Sequence, residues 1–116
     1  MVSGQELFME RDRIKNSLET SLKRAYDNGI NEAEKIRSYR ILLAQTILQL
    51  KADGFPVSII DKVAKGVEAV ADAEFEMNAA SVSYTASKEN IMAQKKLLES
   101  IEADIKREYY KGEGNG

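Results

Sequence analysis

An all-α fold, arranged as a long antiparallel helical hairpin with coiled-coil-like packing, is predicted by three observations. The one proline of the 116-residue chain, Pro56, falls near its middle and leaves a long segment without a helix breaker on either side. In each segment, apolar residues recur at steps of three and four. The two segments are nearly equal in length, as antiparallel partners must be.

The first helix is expected over about residues 5–52. Its stripe runs Ile14, Leu18, Leu22, Ala25, Gly29, Ala33, Ile36, Leu43, Ile47 and Leu50, with Arg40 in the one polar place. These steps average about 3.6, the period of an α-helix. Gly29 costs roughly 1 kcal/mol relative to alanine inside a helix, yet the stripe keeps its phase across Asp27-Asn28-Gly29, which favours one continuous helix. The alternative is a break, with Asn31 as N-cap and Glu34 completing a capping box.

A turn over residues 53–56 follows from Gly54-Phe55-Pro56. Beyond it, Ser58 with Asp61 reads as a weak N-terminal cap of a short third helix at about 57–65. Its apolar face is Val57, Ile59, Ile60, Val63 and Ala64, and Gly66 ends it. The second long helix, at about 67–110, carries a heptad. One track is Val70, Met77, Tyr84, Ile91, Leu98 and Ile105; the other is Ala73, Ala80, Ser87, Gln94 and Ile101. Small residues in the second track let helices approach closely but bury little surface. Residues 111–116 read as a flexible tail.

Length and uniform composition predict a single domain, 1–116. Hydrophobic residues make up 43% and charged residues 31%, which suits helices with one dry stripe and a wide wet face. The 17 Lys+Arg and 19 Asp+Glu leave a net charge of −2, so no overall field draws the chain to nucleic acid or anionic lipid. No Cys and no His means no disulfide framework, no thiolate chemistry and neither the commonest metal ligand nor the commonest general base. No enzymatic activity, catalytic residue, metal ligand or cofactor is expected. The start, Met1 to Arg13, turns charged before an apolar run can build, which predicts neither signal peptide nor membrane anchor and a cytoplasmic location.

Several side chains lie off the main stripes: Phe8, Tyr39, Leu42, Leu48, Phe75, Val82 and Leu97. Two helices offer no second layer to cover them, so self-association into a four-helix bundle dimer is expected. The alternative is a three-helix monomer in which the short helix covers them. The seam of the hairpin, or of the dimer, is assigned to Ile36, Leu43, Ile47, Val70, Met77, Tyr84, Ile91, Leu98 and Ile105.

Three further patches carry side chains that could serve a site. The corner presents Phe55, Pro56, Lys62 and Lys65, which either cap the core or form a docking tip for a protein partner. Arg11, Arg13, Lys23, Arg24, Lys106 and Arg107, with Tyr26, Tyr109 and Tyr110 as stacking surfaces, form the alternative: a single-stranded nucleic-acid site at the open end of the hairpin. Interspersed carboxylates favour ordinary i, i+4 pairing there. The acidic run Glu68, Asp72, Glu74 and Glu76 reads as a solvated face rather than a metal cluster.

The run Asn28 to Glu34, then Tyr39-Arg40, Leu50 to Pro56, Ile60 and Ala64-Lys65-Gly66 resembles small helical, coiled-coil accessory proteins of Gram-positive phages and prophages, over roughly residues 25 to 105. Such proteins are often encoded near recombination and single-strand DNA-binding functions. The shared residues are structural punctuation, so the resemblance implies a phage accessory role in the host cytoplasm and transfers no site residues. The function expected is a non-enzymatic helical adaptor that binds a host or phage protein of DNA metabolism or defence.

Overall fold

The computed structural model describes residues 4–114, with side chains described through residue 110. Three helices account for it: α1, Gly4–Ala52; α2, Val57–Gly66; and α3, Glu68–Gly114. Among the described residues there is no strand, and no helix is long and apolar enough to cross a membrane.

α1 is unbroken at Asn28-Gly29 and ends in a Schellman motif. The Phe55 N–H donates to the Leu50 carbonyl and the Gly54 N–H to the Lys51 carbonyl, each at 3.1 Å. Gly54 takes φ +87°, a left-handed conformation that glycine adopts without a Cβ penalty. Pro56 then blocks any continuation. It also serves as the N-cap of α2, extended at φ −60° and ψ 136° and without a side-chain cap bond. Ser58 therefore lies inside the first turn and is not the cap, and Asp61 pairs instead with Lys65 at 3.2 Å. α2 passes into α3 through one residue. The Val67 N–H donates to the Ala64 carbonyl at 3.2 Å, and its own carbonyl accepts from Ala71 N–H at 2.9 Å. At the other end, α3 continues through 111–114, where a flexible tail was expected; 115 and 116 lie outside the described residues.

Contacts divide the chain into two units, Met1–Tyr26 with Ala86–Gly116 and Asp27–Thr85. In the first unit, α1 and α3 run antiparallel: Asn90 Nδ2 donates to Ser21 Oγ at 3.1 Å, and Gln94 Nε2 donates to Ser17 Oγ at 3.2 Å. Leu7, Ile14, Ser21, Ala25 and Ser87 are its buried residues. In the second unit, α1 and α3 are again antiparallel, with Lys35 at Glu76, Tyr39 at Glu74, and Gly29 against the Tyr84 ring. Its core is Ile60, Ala64, Val70 and Ala80.

On α3, both heptad tracks are buried or half-buried from Val70 to Ile105. α1 keeps Ile14, Leu18, Ala25, Gly29, Ile36, Leu43, Ile47 and Leu50 of the stripe read in the sequence buried or half-buried and departs from it elsewhere. Leu22, Ala33 and Arg40 are exposed, whereas Leu7, Ile14 and Ser21 at seven-residue steps are buried, and Arg11, Asn28, Glu32, Lys35, Tyr39 and Leu42 are half-buried. A stripe of period 3.6 drifts about 20° per heptad from the 3.5 repeat that keeps a coiled-coil seam facing its partner. On α2, Ile60 and Ala64 point inward with Val63 half-buried, while Val57 and Ile59, expected on the same apolar face, are exposed.

Candidate functional site

The corner belongs to the second unit. Phe55 is 39% exposed, so the ring is neither a closed cap nor fully free. Pro56 and Lys62 are exposed, and Lys65 is held by Asp61. That ion pair raises the Lys65 pKa above the ordinary lysine value. The seam residues Ile36, Leu43 and Ile47 are half-buried, as are Met77 and Tyr84, and Val70 is fully buried; in the first unit Ile91, Leu98 and Ile105 are half-buried.

Four basic residues of the first unit, Arg11, Arg13, Lys106 and Arg107, are drawn into local contacts. Arg13 pairs with Glu10 and Arg107 with Asp104, each at i, i+3. The Arg11 guanidinium lies 5.0 Å from the centre of the Phe8 ring, with its Nε 3.6 Å from an Asp12 carboxylate oxygen. Lys106 Nζ stands 5.8 Å from the Tyr110 ring, and Tyr109 and Tyr110 meet edge-on at 5.9 Å. Lys23 and Arg24 are exposed. The antiparallel register places Tyr26, Lys23 and Arg24 beyond the Ser21–Asn90 contact, on the order of 30 Å along the helices from Tyr109 at 1.5 Å per residue. The tyrosines therefore do not form one stacking surface. Phe8 and Tyr109 instead line a shallow hollow of about 230 Å³ with Gly4, Ile105 and Glu108.

Of the acidic run, Glu76 binds Lys35 Nζ at 3.3 Å and Glu74 accepts from the Tyr39 hydroxyl at 3.2 Å. Burial first, then the Glu74 charge, pushes the Tyr39 hydroxyl above its ordinary value of 10.0. Among the described residues, no three His, Cys, Asp or Glu side chains converge on a metal position.

The second unit also carries two outward stripes, of which sequence reasoning picked out only Leu48, Phe75 and Val82. On α1, Ile30, Glu34, Arg37, Ile41, Ala44 and Leu48 are all exposed; the steps alternate four and three, so these residues share a face turned away from the seam. On α3, Glu68, Asp72, Phe75, Ala79 and Val82 are exposed and repeat the same alternation. Phe75 is 74% and Val82 70% exposed. The signal was available as a second heptad register in each helix, but small and charged members diluted it.

Set beside protein families, curated proteins and solved structures, the chain matches none of them.

Proposed function

We propose that this protein is a non-enzymatic helical adaptor that acts by protein–protein contact, and that its first such contact is self-association, two copies packing four helices together. One observation carries the reading. Exposed large apolar side chains outnumber buried ones among the described residues, and the largest fully buried side chain is only Val70. Three of the seven buried hydrophobics are alanines, Ala25, Ala64 and Ala80, so the apolar surface sequestered within the chain is small. Large apolar side chains left in water on two helices are the usual mark of an interface. The resemblance to phage accessory proteins supports a partner in DNA metabolism or defence. Single-strand binding draws less support, because Arg13 and Arg107 are paired with carboxylates and the tyrosines are dispersed.

Light scattering at micromolar concentration tests the reading. A mass of at least two chains is expected; the mass of one chain would count against self-association.

A further inference from the structure

Charge sorts the outward faces of the second unit beyond Glu34, an exposed carboxylate that lies on the α1 face one turn before Arg37. From Lys35 to Ala52, α1 carries Lys35, Arg37, Arg40 and Lys51 and no carboxylate. From Glu68 to Thr85, α3 carries Glu68, Asp72, Glu74 and Glu76 and no cation. The contact within the chain uses part of this opposition, through Lys35 with Glu76 and Tyr39 with Glu74. Arg37, Arg40, Glu68 and Asp72 are exposed and make no ion pair among the described residues.

These four charges border the outward apolar stripes. Arg37 lies one turn before Ile41, and Arg40 one turn before Ala44, so the row Ile41, Ala44 and Leu48 has a basic margin. Asp72 precedes Phe75 by three residues and Ala79 by seven, and Glu68 precedes Phe75 by seven, so the row Phe75, Ala79 and Val82 has an acidic one. Each face has the alternating four-and-three spacing of a helix that packs on another helix.

We propose that these faces bind each other between copies, the basic outward face of α1 in one chain seating on the acidic outward face of α3 in a second. This rests on the interaction-protein reading and names the partner and the contact. Pairing α1 with α1 would set Arg37 and Arg40 against their own kind, and pairing α3 with α3 would do the same to Glu68 and Asp72, both disfavoured by like-charge repulsion. A foreign partner of one sign would satisfy one face only; other copies of the chain carry the complement of each. The contact is head-to-tail, so it leaves a basic face on one copy and an acidic face on the other that can accept further chains.

Charge reversal tests the pairing on the full chain. Arg37→Glu with Arg40→Glu, and separately Glu68→Lys with Asp72→Lys, alter exposed residues without ion partners among the described residues, so helicity by circular dichroism is expected to hold. In sedimentation, each double variant alone should associate at least about tenfold more weakly than the wild type. An equal mixture of the two, and the variant carrying all four changes, should recover association. If a double variant loses helicity, the milder Arg37→Gln and Asp72→Asn, each weakening association while helicity is kept, read the same contact. A wild type that associates while the reversed variants associate equally well overturns the pairing and leaves the wider reading standing. A wild type that sediments as one chain at every concentration overturns both.

Discussion

A Cβ on Gly29 would stand 3.1 Å from Tyr84 Cε1 and 3.2 Å from Cζ, tighter than ordinary van der Waals contact. The half-buried Tyr84 ring thus occupies the space that the missing side chain leaves on α1. That accounts for a glycine within a 49-residue helix, where it costs roughly 1 kcal/mol relative to alanine. Gly29→Ala should gain that propensity in full, about 1 kcal/mol, only when Tyr84→Ala has removed the ring; with Tyr84 present the gain is smaller or reversed. Denaturant titration of the four proteins of the cycle reads this, and equal effects in both backgrounds would refute the contact. Tyr39 offers a second residue-level test. Its raised pKa means that the folded chain holds the phenolic proton more tightly than the unfolded chain does. Stability from this group is therefore complete below the ordinary value of 10.0 and is lost as pH climbs above it. Tyr39→Phe should make the alkaline loss of stability shallower in melts taken on either side of that pH.

Among the elements, α3 was legible in the sequence because a strict seven-residue repeat runs from Val70 to Ile105 with no charged residue in its tracks. α1 was legible as a helix and in most of its facing, with only Leu22 and Ala33 of the apolar stripe exposed, but not in its polar seam residues. Its seam holds Arg11, Asn28, Glu32 and Lys35, polar residues that periodicity assigns to water, while apolar Leu22 and Ile41 are exposed. Long polar side chains can lie along a seam with their heads reaching solvent, and hydrophobicity alone does not reveal that. The corner shows the opposite. Gly54 and Pro56 declared the turn, and its Schellman bonds follow from the left-handed glycine. Nothing lies within 4 Å of a Cβ built on Gly54, so Gly54→Ala meets no steric obstacle beyond its own backbone. It should cost about 1 to 2 kcal/mol, the penalty of a left-handed conformation for an L-residue, measured as a lowered melting temperature. An unchanged melt would mean that the corner adopts another conformation in solution.

For the whole molecule, the outward faces were foreshadowed by the off-stripe residues Leu48, Phe75 and Val82, and the structure leaves all three exposed. Tyr39 and Leu42, grouped with them in the sequence, are half-buried, because the seam on α1 is rotated toward them. The small second track of α3 already pointed to little enclosed surface; which other residues stay outside was not legible, since burial depends on how helices meet. A protein stabilised in part by a second copy unfolds at a temperature that depends on its own concentration. Thermal melting followed by circular dichroism over a dilution series tests this most directly. The midpoint is expected to rise steadily with concentration; a midpoint that stays constant over the whole series would contradict self-association.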